Sequence, residues 1–286
     1  MRFSTFYFTA TGNTWWAARE FTKIARDMGY DADYYSIESE DMQSDEKIAQ
    51  IIIESDAIGF AYPIHGSMHP LFMQRFIDRV IDIRSKNKTN EDEQNWKIGY
   101  TITTMALFSG DGALVPRKQL KKATIHLHGA INLALASNLA VPYFRYNPVG
   151  TKKIERRKKY NRKKLRKYIM RLSSGKKYLE GRNPILLFLG WLQRVFMITF
   201  ESKVYKYLSV DLDSCTRCML CVNNCPTHSI QYQEDRFTFL STCTSCMRCY
   251  NFCSANSILL FNKYADPKKY KRYHGPGEGF KINLLK

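Results

Sequence analysis

Acidic residues are scarce where basic ones are densest. Residues 151–180 carry 14 Lys/Arg against 2 Asp/Glu, a net of +12, and residues 181–286 carry 14 against 7. Residues 1–150 are balanced, 16 against 17, so the excess is confined to a middle block and the C-terminal third of the 286 residues. Long apolar runs are also missing. The run Pro184 to Leu192 is too short to span a bilayer and stops at Gln193 and Arg194. The N-terminal stretch has no long apolar core with a small-residue cleavage site, so a cytoplasmic location is expected. There is no G-x-G-x-x-G and no G-K-[ST], which removes the dinucleotide fingerprint and the Walker loop. No His–acid–nucleophile set stands out either: His69, His126, His128, His228 and His274 are scattered. In a reducing compartment the eight cysteines point to metal or redox chemistry rather than to disulfides.

What is present first is alternation. Short apolar stretches at 2–8, 31–37, 56–62, 97–104 and 131–138 read as strands, and 13–28, 44–54, 69–84 and 113–128 as helices between them. Five strands separated by helices imply right-handed crossovers and an α/β fold, a doubly wound five-stranded parallel sheet, over 1–150. Residues 151–206 hold a very basic helix (152–178) and an apolar linking helix (Ile185 to Leu208). Leu165, Tyr168, Ile169 and Leu172 form one stripe of the basic helix and are expected against the sheet. Trp191 and Phe196 are expected as core between the domains. The cysteine segment is 207–262, and 263–286 is a basic, Gly/Pro-containing tail.

Within the cysteine segment, CTRCMLCVNNCPTHSI (215–230) and CTSCMRCYNFCSANSI (243–258) align at an offset of 28 residues with all eight cysteines matched. This is an internal duplication, so a pseudo-two-fold pair of sites is expected. A structural zinc site takes two separated ligand pairs; here the spacing is C-x2-C-x2-C-x3-C, in which three thiolates curl around one cubane and the fourth points away. Zinc, and clusters kept only as structural staples, stay open as alternatives. The pattern resembles the bacterial two-cluster ferredoxins over about fifty residues, a small α+β domain, in which the fourth cysteine of each run ligates the other cluster. The resemblance implies one 4Fe–4S cluster on Cys215, Cys218, Cys221 and Cys253 and a second on Cys243, Cys246, Cys249 and Cys225. Pro226 follows Cys225 as that family asks, whereas Ser254 replaces the matching proline. Arg217 and Arg248 lie inside the runs. They either raise the cluster potentials or form solvated surface, and the second is expected.

The other motif is Thr9-Ala10-Thr11-Gly12-Asn13-Thr14, between the first strand and the first helix. A helix start supplies free N–H groups and a positive dipole end; the Thr hydroxyls add short donors, and Gly12 permits close backbone approach. An anionic phosphate can be held there by neutral dipoles, although an ordinary polar turn has the same composition. In this position the loop resembles the FMN phosphate loop of flavodoxins, where ligand binds beside the first strand. That resemblance implies that the loops after the third and fourth strands flank the flavin ring: Tyr62, Pro63, Ile64, His65 and Gly66 in one, Thr104, Met105, Phe108, Ser109, Gly110 and Asp111 in the other. Tyr62, Phe108 and Trp15 serve equally well as packing residues, and His65 either hydrogen-bonds the reduced flavin or has no role.

Both halves together resemble the flavodoxin–ferredoxin fusion proteins of anaerobic bacteria and archaea. This implies an electron-transport flavoprotein with FMN and two 4Fe–4S clusters, exchanging electrons with partner redox proteins. The alternative is a flavin-dependent oxidoreductase that reduces a small molecule, fed by the clusters. The basic block fits an acidic redox partner, a peripheral contact with an anionic membrane, nucleic acid, or a merely solvated face. Nucleic acid is the outsider, and no transmembrane span is expected.

Overall fold

The computed structural model describes the chain except residues 87–95, 140–146, 202, 264–265 and 286, with the side chains of 199–201 also left aside. The elements run β1 (Arg2–Tyr7), α1 (Asn13–Asp27), β2 (Asp31–Ser36), α2 (Asp45–Glu54), β3 (Ala57–Pro63), α3 (Leu71–Lys86), β4 (Lys97–Met105), α4 (Arg117–Lys122), β5 (Ile125–Ala134), α5 (Thr151–Ser173), β6 (Tyr178–Leu179) and α6 (Pro184–Glu201). The cysteine segment follows with β7 (Leu208–Val210), α7 (Leu220–Asn223), β8 (Ile230–Gln233), β9 (Arg236–Phe239), α8 (Arg248–Phe252) and β10 (Ile258–Leu260).

The sheet order is β2-β1-β3-β4-β5-β6, all parallel. Because crossover helices cover both faces, β1 and β3 are buried along nearly their whole length rather than alternating. On one face α2 and α3 set Ile48, Ile52, Phe76 and Val80 against Phe6, Phe8 and Phe60. On the other, α1 and α5 set Trp16, Phe21, Leu165, Tyr168, Ile169 and Leu172 against Phe3, Tyr100 and Ile102. The expected stripe of the basic helix is therefore buried core.

Three expectations about these elements change. The sheet has six strands, not five: β6 adds two residues beside β5, too few to leave a pattern in the sequence. The fourth helix is six residues long, because Thr124 takes a left-handed φ of 55° and the chain then alternates, with Ile125 and Leu127 buried and His126 exposed. β5 accordingly lies at 125–134, not 131–138. Finally, Trp191 and Phe196 are not core: they are 56% and 68% exposed. α6 turns Gly190, Gln193, Arg194 and Met197 towards the sheet domain instead. Gln193 accepts from Ser67 Oγ, Arg194 pairs with Asp111, and a Cβ on Gly110 would stand 2.7 Å from Gly190 Cα.

The C-terminal tail crosses back over α1 and α5. Glu278 accepts from Trp16 Nε1, Arg19, Arg162 and Lys158, whose side chain is fully buried. Burial alone would push the Glu278 carboxyl up, but the bonds from Arg162, Trp16 and Lys158 outweigh it and hold it at about 2 against an ordinary 4.5. A depressed carboxylate stabilises fully above its unfolded value, and its contribution fades as pH falls from about 4.5 towards about 2. At neutral pH, Glu278→Gln is expected to cost about 1–2 kcal/mol and to speed amide exchange over 272–285 selectively. Unchanged exchange there would show that the tail is held without this carboxylate.

Candidate functional site

β1 delivers the chain to the carboxyl end of the sheet, where Phe8 N–H still bonds Ala61 O at 3.0 Å. Then Thr9–Thr14 turn into α1. All six residues are buried. Gly12 makes the turn with φ 96°, and its N–H donates to Thr9 Oγ1 at 3.0 Å. Thr14 Oγ1 meets Thr104 Oγ1 at 2.9 Å, tying the loop to the end of β4. The N-cap of α1 is Gly12, which has no side chain with which to cap it. The first-turn N–H groups and dipole end of α1 therefore border a cavity of about 100 Å³, lined by Thr9, Ala10, Thr11, Asn13 and Thr14 on one side. This is a candidate anion seat built of neutral groups. It is smaller than the roughly 300–1,000 Å³ of sites that enclose whole small molecules, and its size suits the end of a ligand rather than the whole of one.

The far rim is Pro63, Ile64, His65, Thr104, Met105 and Ala106, with Ala136, Ser137 and Asn138 from the end of β5. Of the residues expected to flank a ring, Pro63, Ile64, His65, Thr104 and Met105 thus line the cavity. Tyr62 does not: it is fully buried, donates to Gly112 O at 3.0 Å and packs edge-on to His69. Gly66, Gly110 and Asp111 carry α6, with Met197 against Gly66 and Arg194 against Asp111. Phe108 and Ser109 are likewise outside the lining. Trp15 is buried under Phe280. Nothing in the sequence marks Ala136, Ser137 and Asn138 as rim residues, because 131–138 reads as one strand and the strand ends at Ala134.

In the cysteine segment the two runs repeat in backbone as well as in sequence. Arg217 and Ser245, Met219 and Met247, and His228 and Asn256 take left-handed φ in matched pairs. Ser229 N–H donates to Cys225 Sγ at 3.2 Å, and Ser257 N–H to Cys253 Sγ at 3.2 Å. Cys215, Cys218, Cys221 and Cys253 line one cavity of about 20 Å³. Burial pushes the Cys221 thiol up to about 11, with Cys253 and Cys215 among the neighbours that add to it. Burial likewise pushes Cys246 up to about 12; Arg248 opposes this, and Cys243 and Cys225 reinforce it. Each group of four therefore draws three thiols from one run and one from the other. Among the described residues no three His, Cys, Asp or Glu side chains converge tightly enough to hold a single ion. Four thiols grouped in this way suit an iron–sulfur core, whose binding displaces their protons.

Arg248 joins the two units. The expectation of a solvated arginine is overturned: Arg248 is 1% exposed, whereas Arg217 does reach solvent and pairs with Asp235. The Arg248 guanidinium donates to Thr9 O at 2.7 Å, Ala10 O at 3.1 Å, Asn224 O at 2.9 Å and both Glu38 oxygens at 2.7 and 2.8 Å. Burial alone would weaken its charge, but Glu38 more than restores it. One planar side chain thus ties the Thr9–Thr14 loop, the backbone beside Cys225, and its own run between Cys246 and Cys249. Asn138, on the rim of the seat, donates to Cys246 O at 3.0 Å. No spacing rule places Glu38 or Asn138 here.

Residues 201–258 match the 4Fe-4S dicluster domain family. Before them stands a parallel sheet in the flavodoxin order with a candidate anion seat beside β1. This make-up fits a flavodoxin–ferredoxin fusion. Among solved structures, the chain is similar to a flavodoxin from the domain Archaea, at 13% identity over 59% of this chain and 99% of that one, TM-score 0.37. It is also similar to Megasphaera elsdenii flavodoxin, at 18% over 46% and 84%, TM-score 0.36. A third likeness is to rubredoxin oxygen:oxidoreductase of Desulfovibrio gigas, at 14% over 60% of this chain, TM-score 0.40; the chain spans 36% of that protein's length. No curated protein matches the chain by sequence. The flavodoxin-like fold and the 4Fe–4S domain together support redox electron transfer, and among the described residues no helix is long and apolar enough to cross a membrane.

Proposed function

We propose that this fusion passes electrons between an FMN, seated by its phosphate at Thr9–Thr14, and two 4Fe–4S clusters held by the eight cysteines, and exchanges them with partner redox proteins. A bound flavin takes up two electrons in single steps and a cluster carries one, so their pairing joins two-electron to one-electron chemistry. The observation that supports this most is Arg248, whose bonds reach the phosphate loop and the Cys225/Cys243/Cys246/Cys249 group from one buried position. That group is the one next to the seat. The Cys215/Cys218/Cys221/Cys253 group is the outer one, and its Cys218 is exposed. Electrons enter or leave there, and the exposed cations of α5 suit an acidic partner. α6 lies on the loops after β3 and β4, and the space beside them is about 100 Å³. That favours transfer to a docked protein over enclosure of a small substrate.

Purified without oxygen, the chain is expected to hold about eight irons and about one FMN, both responding to stepwise reduction. Iron without flavin, even after FMN is added, would remove the flavin half of this reading. Cys221→Ala is expected to leave about four irons, with the inner group still reducible; full iron retention would overturn the ligand assignment.

A further inference from the structure

α6 is built inside out. Its inward stripe, Gly190, Gln193, Arg194 and Met197, contains the polar side chains that fix it to the protein. Ile185, Phe188, Trp191, Val195, Phe196 and Ile198 are each 50% or more exposed. At 3.6 residues per turn these six fall within about 160° of the circumference. A helix of a water-soluble surface has the opposite polarity, and a contiguous apolar face of this kind marks an interaction site. The helix is firmly seated, so the face is not a packing surface waiting to fold inwards.

The charge around the face selects what covers it. From Pro184 to Phe200 the only charged residue is Arg194, which is used inwards. Just before the helix stand Lys176, Lys177 and Arg182, and just after it Lys203 and Lys206, all exposed. The acids in the same stretch are Glu180, which is held by Lys164, and Glu201. A second copy paired through this helix, parallel or antiparallel, would set cationic ends against cationic ends. An apolar centre with cations at both ends instead complements a bilayer with anionic headgroups, and an 18-residue helix is about 27 Å long, enough to lie along such a surface. We propose that α6 is an in-plane anchor by which the protein docks on an anionic membrane, with Phe188, Trp191 and Phe196 entering the headgroup boundary and the five flanking cations holding lipid phosphates and carboxylates.

The test uses the full chain with its native cofactors, floated with vesicles of phosphatidylcholine alone or with about 30% phosphatidylserine. The bound fraction is expected to rise at least tenfold with phosphatidylserine and to fall with salt. Trp191→Ser with Phe196→Ser is expected to abolish it, and Lys203→Glu with Lys206→Glu to remove most of its salt-sensitive part, with iron content and circular dichroism unchanged. A readout independent of those variants is Trp191 fluorescence in a Trp96→Phe background, where the remaining Trp15 and Trp16 are buried. Brominated lipids should quench it. No binding to the anionic vesicles, no quenching, or a concentration-dependent dimer abolished by the Trp191/Phe196 substitutions would each overturn the proposal.

Discussion

Arg248→Met is expected to lower stability by about 3–5 kcal/mol and to slow electron exchange between the flavin and the clusters at least tenfold. The first figure follows from what remains behind. The Glu38 side chain is nearly as buried as its partner's, with 6% exposure against 2%. Removing one member of a buried pair leaves a charge without its compensation. Thr9 O, Ala10 O and Asn224 O also lose a donor. The second figure follows from position, because these bonds hold the loop of the seat against the inner cysteine group, and electron exchange depends steeply on their separation. Denaturant unfolding and single-turnover reduction measure the two effects. Arg248→Met with Glu38→Met removes both charges, and most of the lost stability should return, since apolar replacement of a buried pair is often close to neutral. The exchange rate should not return, because the bonds to the Thr9–Thr14 loop stay broken. A double variant that recovers both would show that charge burial matters here and the bridge does not. A single variant within 1 kcal/mol of the parent would remove the bridge altogether.

Gly12→Ala is expected to weaken FMN binding by about 5- to 150-fold. Gly12 has φ 96°, a conformation that a side chain resists at a cost of about 1–3 kcal/mol, and a tenfold change in affinity is about 1.4 kcal/mol. Space adds to the strain. A Cβ at Gly12 would stand 2.7 Å from both Phe280 and Pro276 of the tail. The loop relieves both by leaving the shape in which Thr9, Thr11, Thr14 and the start of α1 face one cavity, and binding has to restore that shape. Titration of flavin-free protein with FMN, followed by fluorescence quenching, gives the affinity. Gly29→Ala is the control. Gly29 also has positive φ, at 84°, but nothing stands within 4 Å of its Cβ position and it lies at the other end of α1. It should lower stability and leave FMN affinity unchanged. Equal loss of affinity in both variants would mean that general destabilisation, rather than the seat, is being read.

Features that depend on neighbours along the chain were determined by the sequence alone. The cysteine runs announce themselves because a cluster-binding turn needs ligands at short fixed steps, and the duplication repeats that requirement 28 residues later. The Thr9–Thr14 turn is legible because strand, hydroxyl-rich loop and helix start are contiguous. The inward stripe of α5 follows from helical period. Tertiary structure decided what depends on approach across the fold. Arg248 lies 239 residues from Thr9 and 210 from Glu38, so no local pattern separates this buried bridge from the solvated Arg217. Asn138 and its neighbours join the rim because β5 ends four residues earlier than its composition suggests. The tail closes over Gly12 through Pro276 and Phe280 and over α1 through Glu278, although its basic, glycine-containing composition shows no partner. α6 is the sharpest case. Composition makes an apolar helix look like core, but which face turns inwards depends on Gly110, Asp111 and Ser67 receiving its glycine and polar stripe. Those contacts leave the apolar side facing outwards.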